Sequence, residues 1–275
     1  MCADSTTLPP KRSWGERLKG LRNFQSQDFW AMVFARPLTI LFLLPVAEIR
    51  WVTPTLLTWA SVVAKVAGIA YLAACPSYGA GIAGAALVNL GLILDNMDGT
   101  LARYRGTSTY LGYYLDKTVD IVCLAGIFFA IGYRTFGKSG DLVDLVMPMA
   151  AFAGASIAAY TKWVAQRVFG DVELQAQLRA GTLEEYARAH TEKNPSEEPP
   201  ARTLGQWLAW FAKAVKSILY FNEVDIFFFL GLALVLDNEQ IFARYICAAY
   251  TLGALVGPAH FYFKLKSRLK ETGQE

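Results

Sequence analysis

Apolar residues in this chain run in blocks long enough to cross a bilayer, and that feature narrows the possible folds more than any other. A spanning helix needs about 20 largely apolar residues. Blocks of this kind cover 54–75, 79–103, 110–133, 144–167 and 240–262, with a shorter one at 224–237 that could extend back through Ile218–Phe221. Only 18% of the residues are charged, against roughly 25% in ordinary soluble domains, and the mean hydropathy is +0.30. Disordered, collagen-like and disulfide-scaffold chains are excluded. The four cysteines, Cys2, Cys75, Cys123 and Cys247, lack the paired spacing of a zinc site. The expected fold is an all-α polytopic membrane protein of six transmembrane helices.

A further apolar piece, Phe29–Val46, is broken by Arg36-Pro37 and followed by Glu48. That pattern favours an amphipathic helix lying at the interface over a seventh span. Six spans place both termini on one side. Most of the 26 Lys and Arg residues fall on the cytoplasmic side when the N-terminus is inside, leaving Arg134 and Lys138 in outer loops and Arg244 just within the last span. Both termini are therefore expected in the cytoplasm. The basic N-terminal segment, with Lys11, Arg12, Arg17, Lys19 and Arg22, is followed by no apolar core with a cleavage site, so it reads as a tail or surface-lying helix. A bacterial inner membrane fits this layout. Between the fourth and fifth blocks, 171–203 is polar, and Thr203–Leu219 interleaves Trp207, Trp210 and Phe211 with Lys213 and Lys216, as suits a helix at the inner leaflet or one packed on the bundle.

Against this background the second and third blocks carry four aspartates, Asp95, Asp98, Asp116 and Asp120. A charge near a spanning helix's centre costs about 2.5–3.5 kcal/mol on insertion scales, so something must offset the group. At about 100° per residue, Asp95, Asp98 and Ala102 share one face of the second helix, and Gly112, Asp116 and Asp120 form a stripe on the third. The short link Tyr104–Thr109 makes the two helices antiparallel neighbours. Four carboxylates then converge, and one or two divalent cations are the simplest compensation, with hard oxygen ligands favouring Mg²⁺, Mn²⁺ or Ca²⁺. Gly99 and Gly112 leave room for a ligand or a facing helix. Arg103 and Arg105, at the end of the second block, could pair with phosphate oxygens or simply anchor the helix at the surface. Carboxylates, glycines and arginine together point to phosphate chemistry. A cation-transporting bundle is the non-enzyme alternative, but it would spread acids along a route through the membrane, whereas these four lie near one surface.

The string D-N-M-D-G-T-L-A-R, eight residues, then G-Y-Y-L-D-K-T-V-D, from Asp95 to Asp120, satisfies D-x2-D-G-x2-A-R-x8-G-x3-D-x3-D. In this the chain resembles the CDP-alcohol phosphotransferase (CDP-alcohol phosphatidyltransferase) family. Thr53-Pro54-Thr55-Leu56-Leu57-Thr58 is similar to the family's T-P-N-x-x-T at its first span, with Thr55 in place of Asn. The resemblance implies transfer of a phospho-alcohol unit from a CDP-alcohol to an acceptor hydroxyl with release of CMP, in phospholipid biosynthesis. It implies that Asp95, Asp98 and Asp116, with Asp120 nearby, hold two Mg²⁺ or Mn²⁺ ions. Asp120 would be the general base, and Gly99, Ala102, Arg103, Gly112 and Thr58 would line the CDP site.

The expected donor is CDP-diacylglycerol, with CDP-choline- or CDP-ethanolamine-type transfer to diacylglycerol as the alternative. Lys117, Lys162 and Arg167 are the candidate cations for a phosphorylated acceptor, or else pair with carboxylates and anchor the membrane edge. Phe221-Asn222-Glu223-Val224-Asp225 lacks the arginine that inositol-phosphate-using members resemble one another in having, which favours a neutral or zwitterionic alcohol. The resemblance also implies a homodimer, for which Gly81, Gly84 and Ala85 permit close packing between or within chains. Membrane lipid is an expected partner and nucleic acid is not. The expected organisation is a cytoplasmic tail (1–28), an interfacial helix (29–50), transmembrane helices one to four with the active site (51–168), a cytoplasmic linker and amphipathic helix (169–221), helices five and six (222–263) and a cytoplasmic tail (264–275).

Overall fold

The computed structural model describes residues 13–22, 31–182, 205 and 223–271. Its regular elements are all helical: α1 (Trp14–Arg22), α2 (Arg36–Val46), α3 (Pro54–Ala74), α4 (Tyr78–Arg105), α5 (Tyr110–Ser139), α6 (Leu142–Ala180), α7 (Glu223–Val235) and α8 (Cys247–Glu271). Wider π turns, Ala31–Ala35 and Ile241–Ile246, lead into α2 and α8. Among the described residues four helices, α3 to α6, are long and apolar enough to cross a membrane. The fifth block forms, among the described residues, the 13 residues of α7, about 20 Å at 1.5 Å per residue, against a hydrocarbon core of about 30 Å. Its suggested backward extension, and the helix expected over Thr203–Leu219, lie outside the described residues. The fourth block does not stop at 167: α6 continues to Ala180, taking in the first part of the expected polar connection.

Local chemistry sets the helix ends. Thr53, Ser77, Thr109 and Asp141 stand in extended conformation, and each side chain accepts a backbone N–H of the first turn it precedes. This satisfies donors that the helix leaves without an internal partner. The α4–α5 turn depends on Gly106, whose φ of 67° is left-handed. It places the Thr107 N–H 2.8 Å from the Ala102 carbonyl, closing α4 and reversing the chain. The two acid-bearing helices are therefore antiparallel neighbours, as their short link requires.

Small residues bring α3 against α4. A Cβ added at Gly68 would lie 2.8 Å from the Gly84 carbonyl oxygen, and one at Gly84 would lie 2.7 Å from Leu72 Cγ. Further along the same seam, Ser61 Oγ donates to the Gly91 carbonyl at 2.8 Å. Gly84 and the buried Ala85 are thus spent on packing within the chain, and Gly81 faces Arg134 and Leu234. The main core gathers around the fully buried Phe128 of α5, with Phe152, Phe242 and Tyr250 as ring neighbours.

Polar ties close both ends of this core. At the end away from the four aspartates, Arg134 is buried with its Nε 2.7 Å from Glu239 Oε1. Its remaining nitrogens donate to the carbonyls of Cys75, Pro76 and Ser77, so one side chain joins α5, the α3–α4 turn and the α7–α8 turn. Nearby, Asp144 accepts from Arg244, Ser139 and Gln240. At the aspartate end, Arg105 makes four hydrogen bonds to the carbonyls of Ala47, Ile49 and Val52, at 2.7–3.1 Å. Arg105 is therefore committed to the segment between α2 and α3, not to phosphate. The N-terminal segment docks as well: Ser13 and Glu16 cap α1 reciprocally, Arg17 pairs with Glu48 at 2.7 Å, and Leu21 is buried beside Leu43, Leu57, Met97 and Leu101.

Candidate active site

Three helices converge on the aspartates. Asp95 and Asp98 stand three residues apart on the last turns of α4, and Asp116 and Asp120 four apart on the first turns of α5, so each pair projects from one helix face. One carboxylate oxygen from each of Asp95, Asp116 and Asp120 lies within 4.8 Å of the other two. Asp98 stands beside this group. It is 6% exposed and accepts a hydrogen bond from the Thr58 hydroxyl on the first turn of α3.

The third helix adds a group that the sequence reading passed over. Lys65 of α3 is 0% exposed, with Nζ 3.1 Å from Asp120 Oδ1 and 3.4 Å from Asp95 Oδ1. Its side chain reaches the acids because α4 has Gly91 where it crosses: a Cβ there would lie 2.5 Å from Lys65 Cγ. A lone lysine inside the apolar block 54–75 was the available signal, since an ionisable residue within a span marks a functional site by default. Lys117 closes the other side, 2.9 Å from Asp116 Oδ2 and 3.0 Å from Asp120 Oδ2. The two oxygens of Asp120 thus face one ammonium each. Lys117 is the more accessible, its side chain 56% exposed.

Other expected residues fall at varied distances from this centre. Gly99 lies under the Arg103 guanidinium, whose nearest nitrogen would be 3.3 Å from an added Cβ. Arg103 also donates to Thr100 Oγ1 at 3.4 Å. Ala102 is half-buried on the same helix, and Gly112 gives its N–H to the Thr109 cap. Lys162 and Arg167 stand exposed on α6, Arg167 3.8 Å from Asp171 on its own helix. The structure therefore gathers the four aspartates, Thr58, Lys65 and Lys117, sets Arg103 at the rim, and places Lys162 and Arg167 on the surface of α6.

The family model for CDP-alcohol phosphatidyltransferases matches residues 51–236, a stretch that contains every one of these acids. The chain belongs to the CDP-alcohol phosphatidyltransferase family. It is accordingly a transferase acting on a CDP-alcohol and a hydroxyl acceptor, and its long apolar helices make it an integral membrane protein. No curated protein matches the sequence. The donor set suits the divalent-metal dependence general to this family: carboxylate oxygens at this spacing are hard ligands, of the kind that bind Mg²⁺ and Mn²⁺.

Proposed function

We propose that the protein transfers the phosphatidyl group of CDP-diacylglycerol to a neutral or zwitterionic alcohol, releasing CMP, as a step of phospholipid synthesis. The observation that carries this reading is the convergence of four aspartates from α4 and α5, Asp98 and Asp120 of them buried, with Arg103 exposed nearby on α4. A diphosphate donor needs concentrated positive charge, and Asp95, Asp98, Asp116 and Asp120 are the residues that would hold one or two Mg²⁺ or Mn²⁺ ions. When bound, those ions neutralise the diphosphate and stabilise the departing CMP.

The chain's own residues have separate tasks. Thr58 fixes Asp98 and, with Gly99, Ala102, Arg103 and Gly112, lines the nucleotide site. Arg103 suits a phosphate oxygen because its guanidinium offers paired donors on the open side of α4. Asp120 takes the acceptor's proton: the hydroxyl oxygen bonds to the β-phosphorus, the bond from that phosphorus to the bridging oxygen breaks, and CMP leaves with the electron pair. The Asp120 oxygen facing Lys117 is the one available for this, since the other is held by buried Lys65. Of the three candidate cations for a phosphorylated acceptor, Lys117 stands at this centre but is paired with Asp116 and Asp120, while Arg167 pairs with Asp171 and Lys162 is exposed on α6.

The bundle is read as six spans, with α7 and α8 completing it, α2 at the interface, both termini in the cytoplasm and a second copy of the chain as partner. CMP release in lipid nanodiscs, across a panel of CDP-alcohols and acceptors, tests the chemistry. Release from CDP-diacylglycerol with one polar alcohol, abolished by EDTA and by Asp120→Asn, is the expected result. Release only from CDP-choline or CDP-ethanolamine with diacylglycerol would replace the donor assignment. A folded protein that binds no CDP would end the reading.

A further inference from the structure

Lys65 is a charge held inside the bundle. It is 0% exposed, its stem lies across Gly91, and its ammonium is fixed between Asp95 and Asp120. Leaving would mean drawing a charge through the α3–α4 seam, where Lys65's own backbone nitrogen and the Ser61 carbonyl would each lie 3.1 Å from a Cβ at Gly91. Lys117 differs: its side chain is about half exposed and pairs with Asp116 and Asp120 from the solvent side.

We propose that Lys65 is a permanent counter-cation, through which the cluster holds one divalent cation unaided and a second only together with the nucleotide's diphosphate. The inference rests on the metal reading given above and follows from charge. Four carboxylates facing two ammonium groups leave two negative charges, which one divalent cation neutralises. A second cation would leave two uncompensated positive charges among buried groups, an arrangement that low-dielectric surroundings penalise heavily. The diphosphate of a CDP-alcohol carries two negative charges, so a second cation arriving with it restores neutrality. Arg103, exposed at the rim, moves every total by one charge and leaves the differences between them intact. Were Lys65 absent, the cluster would be one charge more negative, two cations without the nucleotide would leave one uncompensated positive charge in place of two, and the second cation would depend less on the nucleotide. Lys65 acts through Asp95 and Asp120 and is thus a positioning residue.

The test counts Mn²⁺ bound per chain of full-length protein in detergent micelles. The readout is loss of the free-ion electron paramagnetic resonance signal, with and without CDP, corrected for Mn²⁺ held by CDP alone. The parent protein should bind one ion without CDP and two with it. Lys65→Met, which keeps the stem and removes the charge, should take up a second ion without CDP at lower free Mn²⁺ than the parent needs, and Lys65→Arg should restore the parent's behaviour. Because deleting a buried cation can unfold the bundle, the parent counts are the primary result. Two ions without CDP, or one under both conditions, overturns the proposal. So does a folded Lys65→Met whose Mn²⁺ titration without CDP matches the parent's. A parent that binds no Mn²⁺ in either condition overturns the underlying metal reading as well, and CMP release then shows separately whether the transfer reading survives.

Discussion

Replacing Gly91 with alanine tests whether the α3–α4 seam sets the geometry of the acidic site. The new Cβ would lie 2.5 Å from Lys65 Cγ, with the Lys65 nitrogen and the Ser61 carbonyl oxygen each 3.1 Å away. The side-chain atom can swing aside but the backbone atoms cannot, so the helices must part slightly. Overpacking of this kind costs about 1–3 kcal/mol. Displacing Lys65 also lengthens its 3.1 Å approach to Asp120. At an effective dielectric of about 20, an extra ~1 Å there weakens the attraction by about 1.3 kcal/mol. Together the losses come to about 2–4 kcal/mol. Gly137→Ala is the reference, since a Cβ there meets nothing within 4 Å, and it should stay within about 1 kcal/mol of the parent, on the stabilising side. Reversible unfolding by SDS in mixed micelles measures both, and CMP release should fall for Gly91→Ala alone. Equal stability for the two variants would refute the argument that backbone proximity at this crossing holds Lys65 in place.

Other substitutions probe the remaining ties. Arg134→Met leaves Glu239 buried with Lys138 as its cation, at 2.8 Å, and should cost about 3–5 kcal/mol in the same unfolding assay; a cost below about 1 kcal/mol would contradict the role given to that side chain. Arg105→Met should quicken limited proteolysis between α2 and α3 while reducing CMP release less than tenfold; abolished release with unchanged proteolysis would instead return Arg105 to phosphate binding. Thr58→Val removes the hydroxyl that holds Asp98 at nearly constant shape, and should raise KM for the CDP-alcohol about tenfold, the equivalent of one hydrogen bond of about 1.4 kcal/mol. An unchanged KM would show that Thr58 has no part in the nucleotide site.

Periodicity made much of this architecture readable. Apolar block length located α3 to α6, and the spacing of Asp95, Asp98, Asp116 and Asp120 announced their convergence, because a short turn leaves two consecutive helices little freedom but to pack antiparallel. What stayed hidden depends on contacts between distant segments. Lys65 meets Asp120 fifty-five residues away, and only the crossing at Gly91 makes the pairing possible. Arg105 looked like a surface anchor or a phosphate ligand because nothing in its neighbourhood of sequence reveals the three carbonyls of the α2–α3 segment that it satisfies. The helix continuing to Ala180 was hidden for a different reason: hydropathy marks where a helix leaves lipid, not where its backbone stops being helical.

The Arg134 knot has a topographical consequence. Between it and the aspartates, α5 presents Leu124, Ile127, Phe128 and Ile131, all buried, so a dry plug separates the reactive groups from the opposite face. On the proposed reaction, alcohol, nucleotide and lipid would come and go on the aspartate side, and the finished lipid would be laid down in the leaflet that supplied its precursor. A membrane needing that lipid in both leaflets has to carry it across by other means.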